Sequence, residues 1–308
     1  MNSDLITDFS QAQKIFVYSG ERKKMKILIT GANGQLGTDL QKILTSQSIE
    51  FVATDSAELN ILDEVCVREF VKGKNFTHII NCAAYNNVDK AEEEVELCRK
   101  LNTEAPKLLA QISHEIGAVY VTYSTDFVLD GEKKSPYFEE DVANPLSIYG
   151  HSKLDGERAV LSVNKSCFVI RTSWVFGMGN NNFNKQVIGW SQGKTELSIV
   201  DDQVSSPTYS YDLADFTLKL IETSEYGLYH FSNSGECSKR DQAEYVLKKM
   251  GWQGVVKGAK TADFNLPAKR ASYSKLDSSK FERVVGEKIP TWQSGIDRFL
   301  EEYTKKEV

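Results

Sequence analysis

Apolar residues along this chain fall into short unbroken runs. Each run is followed by a stretch in which apolar positions recur every three or four residues. Met25-Lys-Ile-Leu-Ile-Thr30, Glu50-Phe-Val-Ala-Thr54, Thr77-His-Ile-Ile-Asn-Cys82, Gly117-Ala-Val-Tyr-Val-Thr-Tyr123 and Cys167-Phe-Val-Ile-Arg171 read as strands. Continuous apolar runs of this length suit strands covered on both faces. Thr38-Asp-Leu-Gln-Lys-Ile-Leu44 has a helical period, residues 88–102 predict a charged helix, residues 106–116 another, and a further helix carries Tyr149 and Lys153. In the charged helix, Lys90, Glu92, Glu93, Glu94, Glu96, Arg99 and Lys100 are expected to form a solvated face. Residues 130–147, with Asp130-Gly131, Pro136 and Pro145, read as loop. Strands alternating with helices predict an α/β protein with a doubly wound parallel sheet.

The pattern loosens near residue 175. Loops rich in Gly, Asn and Ser at 177–184, 201–211 and 232–238 separate shorter elements. There is no internal repeat. Three parts are expected: an N-terminal arm over 1–24, a sheet-forming part over 25–175 with returning segments, and a smaller region over 176–308. The arm contributes no motif, and Met25 is an alternative start.

Composition narrows the classes. With 308 residues, 41% of them hydrophobic, the chain can bury a large core. A net charge of -6 gives no reason to expect a nucleic acid or a membrane surface as partner. No apolar run is long enough to span a bilayer, and Gln11–Tyr18 is too short and mixed for a signal peptide. The five cysteines are odd in number, scattered, and lack a C-x-x-C pair, which fits reduced thiols rather than disulfides or zinc. The four histidines form no H-E-x-x-H, which speaks against a metal held by imidazoles. A cytoplasmic protein is expected.

Candidate chemistry begins at Thr30-Gly31-Ala32-Asn33-Gly34-Gln35-Leu36-Gly37, where a strand runs into a glycine loop and then a helix. Glycines permit a tight turn and close approach of a pyrophosphate, and the helix N-terminus offers N–H groups to an anion. Asp55 ends the next strand, where an acid meets an adenosine ribose diol. These features predict a Rossmann-like dinucleotide site. A carboxylate at Asp55 suits a free 2′-hydroxyl and favours NADH. NADPH stays open, because the side chain can turn away. The spacing is G-x-x-G-x-x-G, so glycines placed only for strand–helix packing are the competing explanation.

Tyr149 and Lys153 lie four apart in Ser-Ile-Tyr-Gly-His-Ser-Lys and share one helix face. There an ammonium can pull a phenol down from its usual pKa of about 10, making it a proton donor or acceptor at ordinary pH. Taken alone, the pair also reads as an exposed helical pair.

Together, the glycine loop, Tyr149 and Lys153 resemble the extended short-chain dehydrogenase/reductases. Longer segments are similar to the branch of that family that reduces the C4 ketone of dTDP-4-dehydro-L-rhamnose for polysaccharide synthesis. They are Gly34-Gln-Leu-Gly37, Asn81–Glu92, Tyr123-Ser-Thr-Asp-Phe-Val128, Asn144–Glu157, Arg171-Thr-Ser-Trp-Val-Phe176 and Asp202-Gln-Val-Ser-Ser-Pro-Thr208. The resemblance covers about residues 25–300. It implies Thr125, Tyr149 and Lys153 as catalytic residues. It implies Gly34, Gln35, Leu36, Asp55, Asn60, Ile61, Ala83, Ala84, Tyr85, Tyr123, Tyr149 and Lys153 as cofactor contacts, beside Gly31 and Gly37 of the loop. Thr125, Asp126 and Trp174 would touch the sugar nucleotide, and the region 176–308 would mainly bind it.

Three positions depart from the family pattern: Asn60 for Asp, Phe127 for Tyr and Ala271 for Pro. Some members bind Mg²⁺ through carboxylates at a dimer contact, and one such position falls on Asp39. An acid in the first turn of a helix explains Asp39 as well, and that reading is preferred. The implied reaction uses NADH or NADPH on a dTDP-sugar, in a monomer or homodimer. Ser124 competes with Thr125 as the hydroxyl, Trp174 also reads as core, and Asp126 as a turn acid. Two alternatives remain: a reductase or epimerase acting on another nucleotide sugar, and a non-catalytic dinucleotide-binding subunit like the regulatory subunit of methionine adenosyltransferase.

Overall fold

A computed structural model describes residues 25–306; the arm expected over 1–24 lies outside them. The strand runs become β1 (Lys26–Thr30), β2 (Glu50–Thr54), β3 (His78–Asn81), β4 (Val119–Thr125) and β5 (Cys167–Thr172). A further strand, Gly227–His230, pairs with β5, giving the order Gly227–His230, β5, β4, β3, β1, β2. Every pairing in this sheet is parallel. The helices are α1 (Gln35–Ser46), α2 (Glu64–Val71), α3 (Val95–Arg99), α4 (Ala105–Glu115), α5 (Ile148–Val163), α6 (Phe183–Ser191), α7 (Ser210–Ile221), α8 (Lys239–Lys249), α9 (Ser279–Val285) and α10 (Trp292–Lys306).

The unbroken apolar runs are explained by two cores. Ile27, Ile29, Ile80, Val121, Phe168 and Ile170 face one, closed by Leu40, Ile43 and Leu44 of α1 and Leu213, Phe216 and Leu220 of α7. The alternate positions Leu28, Ile79, Tyr120, Cys167 and Val169 face the other, closed by Val67 of α2, Leu109 and Ile112 of α4, and Val160 of α5. Side chains alternate along a strand, so a strand covered twice has no polar face to show.

After residue 205 the chain returns to the sheet as α7 and the strand Gly227–His230. Beyond the sheet, strands Glu196–Val200 and Val255–Ala259 pair in parallel and pack on α6 and α8 through Val187, Leu197, Ala243 and Leu247. A second cluster joins Phe176, Tyr209, Trp292, Ile296 and Phe299. Among the described residues, no helix is long and apolar enough to cross a membrane.

The expected charged helix over 88–102 is broken into a short 3₁₀ turn at Lys90–Glu92, then α3, then a π-helical segment at Lys100–Glu104 that leads into α4. In the π-helical segment Asn102 turns inward. Its Oδ1 accepts the Tyr85 N–H at 2.9 Å, and its Nδ2 donates to the Tyr85 carbonyl at 3.0 Å and to Ser152 Oγ at 3.1 Å. Nor are all the acids of the run merely solvated. Glu92 accepts the Ile148 N–H at 2.9 Å, and Glu94 accepts the Tyr85 hydroxyl at 2.6 Å.

Candidate active site

Between β1 and β3 the chain leaves the sheet in opposite directions, to β2 on one side and to β4 on the other. Such a switch point opens a crevice at the carboxyl ends of the strands. Gly31 turns out of β1 with φ +70°, and a Cβ there would lie 2.6 Å from the Ala83 nitrogen, so this close passage of the two loops requires glycine.

The crevice divides into two connected cavities. One, of about 370 Å³, is lined by Gly34, Gln35, Leu36, Gly37, Ala83, Ala84, Tyr123, Thr125, Asp126, Tyr149, Lys153 and Trp174 among others. The second, of about 450 Å³, is lined by Gly31, Gly34, Asp55, Asn60, Ile61, Ala83 and Ala84 among others. The structure thus brings together every residue expected at the site except Tyr85 and the candidate metal residue Asp39. The Tyr85 hydroxyl is turned to Glu94. Asp39 is buried in the second turn of α1, not placed at the dipole of the first turn as expected, and accepts hydrogen bonds from Ser210 and Lys42. Burial pushes its carboxyl up. Among the described residues, no group of His, Cys, Asp or Glu is arranged to hold a metal.

At the inner cavity, α5 is fixed by the Ser147 hydroxyl, which accepts the Gly150 N–H at 3.2 Å. Gly150 lets the helix press on the Phe127 carbonyl, where a Cβ would come within 2.3 Å. Tyr149 then stands edge-on to Phe127, with ring centroids 5.5 Å apart. Lys153 Nζ donates to the Tyr123 carbonyl at 2.6 Å. The Tyr123 phenol points away and donates to Thr217 of α7 at 3.1 Å. Thr125 Oγ1 accepts the Phe127 N–H at 3.2 Å and donates to Asp126 Oδ1 at 3.2 Å. The other Asp126 oxygen accepts from Ser205 at 3.3 Å and from Ser274 at 2.5 Å.

Electrostatics at this end differ from the expectation of a phenol lowered by Lys153. Burial holds the Tyr149 phenol above its ordinary value, with the Thr125 hydrogen bond pulling weakly the other way. Burial also draws Lys153 down to about 8 and pushes Asp126 up to about 6. In each case, loss of water around the charged form outweighs the neighbouring groups. Tyr149 is therefore a protonated phenol at neutral pH, and it can give a proton but not readily take one.

At the outer cavity, Asp55 accepts the Asn33 N–H at 3.0 Å and the Ser56 N–H at 2.8 Å. No lysine or arginine lines this cavity. Asn60 accepts the Leu62 N–H at 3.1 Å. The residues fit a dinucleotide: a glycine loop that leaves room for a pyrophosphate, an acid at the end of β2, and buried Ser124 and Thr172 hydroxyls that line the inner cavity with no partner among the described residues.

Sequence reasoning missed Asn102, Asn180, Ser205, Ser274 and Lys239 around the site. Asn180 lines both cavities, and its φ of +46° was signalled only by a Gly-Asn-rich loop. Ser205 lies in the family-like segment Asp202–Thr208, which gave it no role; tertiary contacts alone bring in Asn102, Ser274 and Lys239.

The model of the RmlD substrate binding domain matches residues 25–305. The chain belongs to the RmlD family. Within reach of this RmlD-family chain is the spore coat polysaccharide biosynthesis protein SpsK of Bacillus subtilis, 35% identical over 90% of this chain and 97% of that protein. A dTDP-4-dehydrorhamnose reductase of Clostridium acetobutylicum superposes with a TM-score of 0.88 at 39% identity, covering 91% of this chain and 100% of that one. The Bacillus anthracis dTDP-4-dehydrorhamnose reductase, solved in complex with NADP, gives 0.87 at 37% identity, covering 91% and 99%.

Proposed function

We propose that the protein is an oxidoreductase that uses NADH or NADPH to reduce the C4 ketone of dTDP-4-dehydro-L-rhamnose to dTDP-L-rhamnose. The observation that carries this reading is the meeting of Thr125, Tyr149 and Lys153 with the glycine loop in one crevice at the switch point. Relatives and solved structures named dTDP-4-dehydrorhamnose reductase support the substrate.

Gly31, Gly34, Gln35, Leu36 and Gly37 would hold the cofactor pyrophosphate, with Asp55, Asn60 and Ile61 at the adenosine end. The bound nicotinamide supplies the hydride. Tyr149 donates its proton to the oxygen that becomes the C4 hydroxyl. Its high pKa keeps that proton in place until the oxygen turns basic. Lys153 offsets the phenolate left behind. Thr125, anchored through Asp126, orients the ketone oxygen beside Tyr149. In this reading residues 25–175, with α7 and Gly227–His230, form the dinucleotide-binding part, and 176–308 mainly supply the sugar-nucleotide wall. Supplying dTDP-4-dehydro-L-rhamnose with NADH or NADPH should oxidise the cofactor and yield dTDP-L-rhamnose. Dinucleotide binding without turnover of any nucleotide 4-ketosugar would replace the enzyme by a regulatory subunit.

A further inference from the structure

Lys239 opens α8 beside this crevice. Its ammonium lies 3.5 Å from the centroid of the Trp174 ring and 4.6 Å from that of Phe183. No hydrogen bond or ion pair to it is formed among the described residues. Burial draws its pKa down to about 7. The acid that feels it, Asp126, is already occupied by Thr125, Ser205 and Ser274. The position is also the positive end of a helix, where a cation is disfavoured. The indole beneath it is carried on strained backbone, with φ +46° at Trp174. The ring faces attract the ammonium, but among the described residues no carboxylate is hydrogen-bonded to it, so an arriving anion would find this half-buried cation without a direct counter-charge.

Trp174 places this cation at a junction. The indole lines the inner cavity and also an adjoining recess formed by Gln203, Lys269, Arg270 and Ser274. The recess carries Lys269 and Arg270, the latter paired with Asp89, and its acid, Asp126, already accepts from Thr125, Ser205 and Ser274. Trp174 does not line the outer cavity that suits the dinucleotide's adenosine end. The glycine loop that would hold the cofactor's pyrophosphate lines the inner cavity but not the recess, so the anion that would reach the recess side of Trp174 is the diphosphate of the second ligand.

We propose that Lys239 binds the diphosphate of the sugar nucleotide, with the Trp174 indole as the platform that holds the ammonium ready. The inference rests on the sugar-nucleotide reading above and names the residue that takes the charged part of that substrate.

Binding of dTDP, thymidine and NADH to the whole chain, measured by titration calorimetry for the wild type, Lys239→Met and Lys239→Arg, tests it. Lys239→Met should bind dTDP about tenfold to a hundredfold more weakly and leave thymidine and NADH affinities unchanged. Lys239→Arg should recover most of the loss. In turnover, KM for the sugar nucleotide should rise while kcat stays within about threefold. Equal dTDP affinity in Lys239→Met and wild type overturns the proposal. So does a parallel loss of thymidine and NADH binding, which would make Lys239 a packing residue for Trp174. Should Lys239→Met not fold, Lys239→Arg and Lys239→Gln decide: dTDP affinity kept by Arg and lost by Gln supports the proposal, and equal affinities overturn it. A wild type that binds dTDP through Lys239 yet reduces no dTDP-4-ketosugar would sink the reductase reading and leave the diphosphate site standing.

Discussion

The two ends of the crevice are built on opposite principles. At the inner end, Tyr149, Lys153, Thr125 and Asp126 are all buried, and loss of water shifts the pKa of Tyr149, Lys153 and Asp126. At the outer end, Asp55 is half-buried and accepts two backbone N–H groups. The contrast teaches where each kind of substitution will be felt. Substitutions at the inner end should be felt in the reaction and in stability together, and those at the outer end in the choice of cofactor.

The largest expected effect is at the inner end. Tyr149→Phe keeps the ring against Phe127 and removes the donor, so turnover should fall by about 10²–10⁴ with dinucleotide affinity retained. Near-wild-type turnover, under conditions where chemistry is rate-limiting, would end the proton-donor role.

Next comes Lys153. Below about pH 8 the folded protein bears the full penalty of a buried ammonium. Between about 8 and the ordinary 10.5, the unfolded chain holds the proton that the folded one has released, so stability should rise with pH across that window. Lys153→Met should lose activity yet gain up to about 3 kcal/mol of stability at pH 7. That advantage should close as pH approaches 10.5. Urea melts across the range would show a constant gap if Lys153 is well solvated.

A smaller effect belongs to the wall between the two ends. Asn102→Ala strands the Tyr85 N–H and carbonyl and should lower stability by about 1–3 kcal/mol. It should also weaken dinucleotide binding through the Ala83–Ala84 loop. A melting temperature unchanged from wild type would show that water replaces the amide. The mildest change is Asp55→Asn. It removes repulsion of a 2′-phosphate, so the ratio of kcat/KM for NADPH to that for NADH should rise about tenfold. An unmoved ratio would mean that Asp55 does not meet the ribose.

Much of this was legible in the sequence because strands covered on both faces leave unbroken apolar runs, and because glycine loops and Tyr-x-x-x-Lys pairs are local. The five runs became β1 to β5 within a residue or two. The loops of the crevice then placed Gly31, Asp55, Thr125, Tyr149 and Lys153 together. What could not be read was set by distant partners. Asn102 sits in a charged run that predicts one solvated helix, yet its side chain is buried and bonds Tyr85 seventeen residues away in sequence. The raised pKa of Tyr149 is not legible in a helical pattern, which reports which residues share a face, not how much water remains around them. Lys239 at the head of α8 meets Trp174, sixty-five residues earlier in sequence, only through the tertiary fold.

Strand β5 has a consequence for how the chain is made. All six of its residues, Cys167 to Thr172, are buried, and its outer edge is paired only by Gly227–His230. A nascent chain that has emerged as far as β5 exposes an apolar strand with open hydrogen-bonding groups until some sixty further residues have left the ribosome. An open edge of this kind invites pairing with another chain. Arg171 on that edge, buried with Glu157 and facing His230, puts a charge where a stray strand would have to desolvate it. Slow synthesis between residues 172 and 230 should therefore lengthen the period in which the emerging chain depends on chaperones.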